Sequence, residues 1–273
     1  MKSRPRRLPP VVATDLDGTL VRSDGTVSSR SRDVLAAVED AGSLVIFVTG
    51  RPPRWMQPIV EATGHRGIAV CANGALVYDL HSESVIEEHL LEPEVAAEVV
   101  RGLRDALPDL TFAVERGSRG FAHEPSYRPH WDQPDKLVAE LDQILLEPMA
   151  KILARHPDLD PDELLARGRA VLGDVATLTH SSRDGLLEIS AAGVSKASTL
   201  ELLCHERGHG ADDVLAFGDM PNDIPMLTWA GWSVAVASAH PDVLDVVDET
   251  TGSNDEDGVA DYLETLVSLD REA

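Results

Sequence analysis

The segment Val11-Val12-Ala13-Thr14-Asp15-Leu16-Asp17-Gly18-Thr19-Leu20 constrains this chain more than any other. A short apolar, β-branched run ends in two carboxylates one residue apart, followed at once by Gly-Thr. Such a run, bounded by a turn, reads as a buried strand of a parallel sheet. In open α/β sheets, ligands bind beyond the carboxyl ends of the strands, and Asp15 and Asp17 fall there. Like charges set so close together are costly unless a cation or a shared proton compensates them. The pattern asks for a metal and an electrophile. Taken alone, it also describes two acids in a solvated turn.

Three further segments bear on that choice. Leu44-Val45-Ile46-Phe47-Val48 reads as a second buried strand, and it ends in Thr49-Gly50-Arg51. Far downstream, Gly193-Val194-Ser195-Lys196 opens an amphipathic helix with Leu200, Leu203 and Cys204 on one side. Val214-Leu215-Ala216-Phe217 then runs into Gly218-Asp219-Met220-Pro221-Asn222-Asp223-Ile224-Pro225-Met226-Leu227. Each falls at the end of an expected strand or the start of an expected helix, the context that separates a motif from chance. In this order, the four segments resemble the four motifs of the haloacid dehalogenase-like phosphohydrolases. The last resembles the family's Gly-Asp-x-x-Asn-Asp-x-x-Met-Leu in its fullest form. Two details depart from the commonest pattern: Ala197 follows the lysine where Gly is frequent, and Pro221 and Pro225 flank the Asn-Asp pair. Neither removes a functional group.

Composition narrows the classes. With 273 residues, 43% of them hydrophobic, the chain can fill a large core or two moderate ones. Aromatic residues are only 4%, which argues against a stacking surface for single-stranded nucleic acid. The formal charge of −23 repels nucleic acid and anionic membranes. It also repels phosphorylated metabolites, so a site for one must supply positive charge locally. Cys71 and Cys204 have no C-x-x-C spacing and read as buried thiols in a reducing compartment. Residues 1–10 carry Lys2, Arg4, Arg6 and Arg7 and read as a flexible basic tail. That tail lacks the apolar stretch of a signal peptide, and no membrane-spanning run follows, so a cytoplasmic protein is expected.

Along the chain, strand and helix alternate to residue 79, giving a doubly wound, Rossmann-like parallel α/β sheet. Ala72-Asn73-Gly74-Ala75 reads as a hairpin turn between Ile68–Cys71 and Leu76–Asp79. From about 80 to 187 the pattern changes to an α+β module. Its helices are expected at Pro93–Leu107 and Pro161–Leu172. Its strands are expected at Leu110–Glu115, Ala150–Leu153, Val175–Thr179 and Leu186–Ile189. A long polar loop spans Arg116–Asp135 and holds His123, Tyr127, His130 and Trp131. The doubly wound pattern resumes over 188–273, with strands Val214–Phe217 and Trp232–Val236 and a last helix near Gly258–Leu266. The expected organisation is a core of 11–79 and 188–273 carrying an inserted cap of 80–187. The position of that insert resembles the Cof-like, type IIB cap subgroup of the family.

The resemblance implies a Mg²⁺-dependent phosphatase acting on a small phosphorylated metabolite, such as a sugar phosphate. It implies Asp15 as nucleophile, giving an aspartyl-phosphate, and Asp17 as general acid and then base. Asp15, Asp219 and Asp223, with the Asp17 backbone carbonyl, would hold the metal, an all-oxygen set suited to Mg²⁺. Thr49, the N–H of Gly50, Lys196 and Asn222 would bind the phosphoryl group, Asn222 holding either Lys196 or a phosphate oxygen. Arg51, His123, Tyr127 and Trp131 are the candidate contacts to the rest of the substrate. A phosphosugar mutase or a non-catalytic phosphate-binding module would carry related motifs, although the module is expected to lack Asp15 or Asp17. No nucleic-acid or membrane partner is expected, and the protein is expected as a monomer or homodimer. His205 and His209 stand four apart but are flanked by Gly208 and Gly210, and read as surface histidines at a helix end.

Overall fold

The computed structural model describes residues 4–130, 135–182 and 184–271. In chain order, its strands are β1 (Val11–Thr14), β2 (Leu44–Val48), β3 (Ile68–Cys71), β4 (Leu76–Asp79), β5 (Ser84–Glu88), β6 (Thr111–Glu115), β7 (Phe121–His123), β8 (Leu137–Val138), β9 (Lys151–Arg155), β10 (Ala176–Thr179), β11 (Leu186–Ala191), β12 (Val214–Gly218), β13 (Trp232–Val236) and β14 (Glu249–Thr251). The α-helices are α1 (Ser29–Asp40), α2 (Gln57–Thr63), α3 (Pro93–Ala106), α4 (Leu141–Ile144), α5 (Pro161–Leu172), α6 (Lys196–Glu206), α7 (Ile224–Trp229), α8 (Pro241–Leu244) and α9 (Gly258–Arg271). The chain divides into two compact units, one of residues 1–86 and 196–273, the other of 87–195.

The first unit is built on an eight-stranded sheet in the order β14-β13-β12-β1-β2-β3-β4-β5. Strands β14 to β3 run parallel, and β4 returns antiparallel beside β3. The apolar runs of β1, β2 and β12 are buried because helices cover both faces of a parallel sheet. In α1, the apolar positions Val34, Leu35 and Val38 are buried, and the Ser28 hydroxyl caps the first turn by accepting from the Ser31 N–H. From β1 the sheet grows one way through β2 and β3, and the other way through β12 and β13. The switch point therefore lies between β1 and β12, where Val12 pairs with Leu215 and Thr14 with Phe217. A crevice forms at such a point beyond the carboxyl ends of the strands. Asp15 follows one of these strands, and Asp219 the other.

The second unit has a six-stranded sheet in the order β10-β11-β9-β6-β7-β8, antiparallel apart from the β7–β8 pair. Phe112, Val114, Ile152, Ala154, Leu187 and Ile189 form a core with the buried faces of α3 and α5. Alternation along the strands puts Glu115, Lys151 and Glu188 on the opposite face. Lys151 pairs there with Glu188, whose other oxygen accepts from the Ser181 hydroxyl at 2.5 Å.

The structure corrects three expectations. The division falls at 86/87 and 195/196 rather than 79/80 and 187/188. The turn after Asp79 leads into β5 on the edge of the first sheet, and β11 runs on to Ala191 beside β9 and β10. His123 is not in a long loop: Phe121-Ala122-His123 pairs antiparallel with Ala113–Glu115. Three residues are too few to show an alternating pattern among Gly, Pro and His. Between β2 and β3 the chain forms a 3-10 turn, Pro53–Trp55, followed by α2. Residues 4–10 are tied down, since Ser43 Oγ donates to the Pro9 carbonyl at 2.7 Å and Arg4 pairs with Glu249 at 3.1 Å. Trp131 lies outside the described residues. Cys71 and Cys204 are buried thiols.

Candidate active site

The loop after β1 curls tightly. The Leu16 carbonyl accepts from the N–H groups of Thr19 and Val21, at 3.2 and 2.7 Å. Gly18 turns this loop with φ +82°, and a Cβ there would lie 2.4 Å from Asp219 Oδ2. Only glycine meets both demands, the left-handed backbone and the close approach. Thr19 Oγ1 donates to Asp219 Oδ1 at 2.8 Å, which fastens the loop after β12 to the loop after β1. Asp223 faces back toward its own loop, Oδ2 accepting from the N–H groups of Asp219 and Met220 at 3.1 and 3.0 Å.

Lys196, the first residue of α6, is 1% exposed. Its Nζ lies 2.6 Å from Asp15 Oδ1 and 2.7 Å from Asp223 Oδ1. One carboxylate oxygen from each of Asp15, Asp219 and Asp223 lies within 4.8 Å of the other two, and all three residues are buried. Three negative charges against one ammonium leave two uncompensated in a desolvated place. Burial, with repulsion from Asp223, pushes the Asp219 carboxyl up to about 7. Burial also holds Asp15 well above the usual carboxylate range, with Asp223 and Asp219 adding to the effect and Lys196 opposing it. For Lys196, burial works against the proton most strongly, yet Asp15 and Asp223 together raise its pKa. The cluster could hold a divalent metal: its donors are all carboxylate oxygen, and its charge deficit matches a doubly charged ion.

On the β2 side, Thr49 is fully buried, and its Oγ1 accepts from the Arg51 N–H at 3.0 Å. Gly50 lies between them, partly exposed. Arg51 grips Asp17 with two bonds, Nε to Oδ2 at 2.7 Å and Nη2 to Oδ1 at 2.5 Å. That pairing raises the Arg51 pKa against the effect of burial. The Asp17 carboxylate thus stands apart from the buried acidic cluster.

Asn222 does not hold Lys196, whose ammonium is drawn to the two aspartates. Its Nδ2 donates instead to Asn73 Oδ1 at 3.0 Å. Asn73 is the neighbour that sequence reasoning missed, because Asn-Gly after a strand is fully explained as a turn. In the second unit, His123 and Tyr127 are 5% and 3% exposed, with ring centroids 5.8 Å apart. His123 Nδ1 lies 2.7 Å from the Glu124 carbonyl, and Phe121 packs against both rings. Both are packed side chains rather than exposed loop tips. His209 lies 3.8 Å from Asp213, and His205 sits in the last turn of α6.

Comparison with known proteins accords with this geometry. A family model described as haloacid dehalogenase-like hydrolase matches residues 12–263. The chain is 27% identical over 267 residues to the pyridoxal phosphate phosphatase YbhA of Escherichia coli K12, covering 93% of this chain and 97% of that one. It is 27% identical over 275 residues to the 5-amino-6-(5-phospho-D-ribitylamino)uracil phosphatase YitU of Bacillus subtilis, covering 96% and 98%. The crystal structure of SMU.1108c from Streptococcus mutans superposes with a TM-score of 0.84 at 21% identity, over 95% of this chain and 99% of that one. With its four motifs gathered at one site and residues 12–263 matched by the family model, the chain belongs to the haloacid dehalogenase-like hydrolases and is a phosphatase of that family.

Proposed function

We propose that the protein is a Mg²⁺-dependent phosphomonoesterase that hydrolyses a small phosphorylated metabolite, a sugar phosphate or similar, by way of an aspartyl-phosphate on Asp15. The observation that supports this most is the buried group of Asp15, Asp219 and Asp223 around Lys196. So many carboxylates around a single ammonium make a poor structural device, because buried ion pairs rarely stabilise a fold. They make a good receptacle for a divalent cation and a phosphoryl group. When bound, Mg²⁺ supplies charge neutralisation for the phosphoryl oxygens, held by Asp15, Asp219, Asp223 and the Asp17 carbonyl.

In the first half-reaction an Asp15 oxygen attacks phosphorus and the ester P–O bond breaks. Asp17 donates a proton to the departing alkoxide. In the second, water attacks the phosphorus of the acyl phosphate and gives its proton to Asp17. The Asp15 O–P bond breaks, and phosphate leaves. Splitting one hard displacement into two is the benefit of a carboxylate nucleophile. Lys196 offsets charge on the phosphoryl oxygens, while the Thr49 hydroxyl and the Gly50 N–H donate to them. These positive and donor groups matter on a chain whose formal charge is −23, because the surface at large repels a phosphate ester. Two relatives act, by name, on phosphorylated small molecules, which supports the substrate class. Selection among such molecules is assigned to the unit of residues 87–195, and the setting to the cytoplasm. No helix among the described residues is long and apolar enough to cross a membrane.

The test is a panel of phosphorylated metabolites, assayed for released phosphate with and without EDTA. The proposal expects turnover that chelator abolishes and Mg²⁺ restores. Full turnover in chelator would exclude it.

A further inference from the structure

The turn Ala72–Ala75, between β3 and β4, is bonded to three of the four segments that form the site: the loop after β2, α6 and the loop after β12. The Ala72 N–H donates to the Arg51 carbonyl at 2.9 Å, and the Asn73 N–H to the Thr49 carbonyl at 3.1 Å. Thr199, one turn beyond Lys196 on α6, donates its hydroxyl to the Gly74 carbonyl at 2.7 Å. Asn222 reaches the same turn through the Asn73 side chain. Asn73 therefore joins the loop after β2, through its backbone, to the loop after β12, through its amide.

Its conformation is unusual. Ala72 and Asn73 have φ of +51° and +58°, consecutive left-handed residues that are not glycine. Asn tolerates that region better than most residues, and Ala does not. Strain of this kind persists where surrounding bonds over-determine it, and it gathers at functional sites. The four bonds named above are such a frame.

The amides are also incompletely paired. Asn73 is 2% exposed and Asn222 5%. One bond joins them, and it leaves Asn73 Nδ2 and Asn222 Oδ1 buried without a partner. A buried donor left unmet costs free energy that a ligand can recover. Turning both amides over would exchange their roles and still leave one donor unmet. A phosphoryl group has only acceptor oxygens to offer, so it suits the donor.

We propose that Asn73 is a further phosphoryl-binding and positioning residue of the site: it fixes Asn222, and the amide hydrogens that this bond leaves over are met by a phosphoryl oxygen. This rests on the phosphatase reading above. If the wild-type protein turns over no phosphomonoester, that reading fails before any variant is made. With turnover in hand, Asn73→Gly and Asn73→Asp are compared with wild type on p-nitrophenyl phosphate, with orthophosphate as product inhibitor. Gly accepts the left-handed backbone and removes the amide. Asp keeps an acceptor for Asn222 and removes the N–H. The expected result is orthophosphate inhibition weakened about tenfold in Asn73→Gly, with KM raised and kcat changed less. In Asp, like-charge repulsion weakens it further. Asn222→Ala and the double variant complete a cycle, and the double variant is expected to lose little more than the worse single one. Wild-type KM and phosphate inhibition in Asn73→Gly would overturn the proposal and leave Asn73 a turn residue, as would simple additivity in the cycle. Should Asn73→Gly not fold, Asn73→Asp decides alone: weakened inhibition supports the proposal, and unchanged inhibition refutes it.

Discussion

Arg51 and Asp17 are joined by a two-point ion pair, the guanidinium Nε and Nη2 each meeting one carboxylate oxygen at 2.7 and 2.5 Å. The residue proposed to carry the proton to the leaving group is thus held by a planar fork, and the backbone N–H of the same arginine donates to Thr49 Oγ1. A fork fixes both the direction and the plane of a carboxylate, which a lysine point charge does not. Orientation of the proton carrier matters most when the leaving group is a poor one. Arg51→Ala is expected to lower kcat/KM about tenfold on an alkyl phosphate and much less on p-nitrophenyl phosphate, whose leaving group needs no proton. Arg51→Lys is expected to recover only part of the loss. Equal losses on the two esters would remove Asp17 orientation as the role of Arg51.

Asp15→Asn is expected to divide activity from stability. An amide matches the carboxylate in shape but cannot form an acyl phosphate, so turnover should fall on the order of 10³-fold or more. The same change removes one of the three buried charges that repel one another around Lys196. In EDTA at alkaline pH the variant is therefore expected to melt at a higher temperature than wild type, a gain paid in function. Retained turnover would refute Asp15 as the nucleophile. A lower melting temperature would mean that the Lys196 bond outweighs the repulsion.

The pH dependence of metal-free stability has a definite sign. Asp219 is raised from 3.8 to about 7 by burial and by Asp223. Between those values the folded state holds a proton that the unfolded state has released. Stability from this group is present below the lower value and is lost as pH rises through the upper one. A cation that binds only the deprotonated cluster reverses the loss. Mg²⁺ should then raise the melting temperature strongly near pH 8 and little near pH 5, with affinity rising up to about tenfold per pH unit below 7 for each proton displaced. Isothermal titration in two buffers of different ionisation enthalpy checks the proton release. A melting shift independent of pH would show that the ion binds elsewhere.

Much of this architecture is legible in the chain because long apolar runs and helix periodicity dominate it. β1, β3, β4, β13 and α5 occupy the spans that their residues suggest, since each is closed by a turn residue, a proline or a charge. β5, β7, β8 and β14 are short edge or near-edge strands whose patterns do not rise above their surroundings. At the site, each carboxylate is visible from its place after an apolar run. Three-dimensional partnership is not: nothing in the spacing says that Arg51 binds Asp17, or that Asn222 turns to Asn73 and leaves Lys196 to the aspartates. Asn73 was hidden by sufficiency, because the turn alone accounts for an Asn-Gly pair. His123 was misplaced because three residues cannot display a period of two.

Lys196 is the most exacting test of the site as an electrostatic unit. Its ammonium is buried and bonded to both Asp15 and Asp223, and it joins the start of α6 to the loops after β1 and β12. Lys196→Met keeps the length and the apolar stem and removes the charge. The carboxylates it leaves must then be buried unpaired or take up protons. Loss of one partner from a buried pair costs roughly 3–5 kcal/mol, against under about 1 kcal/mol for an exposed pair. Urea unfolding of the metal-free variant at pH 8 should show a loss in the larger range. The loss should shrink at pH 5, where protonation of Asp219 and Asp15 relieves the repulsion that Lys196 offset. Mg²⁺ should recover much of the stability at pH 8 but none of the turnover, because an ion held by the carboxylates does not restore the ammonium's own donors. A loss below about 1 kcal/mol at both pH values would mean that water reaches the cluster and screens it, and the burial on which the proposed chemistry rests would be set aside.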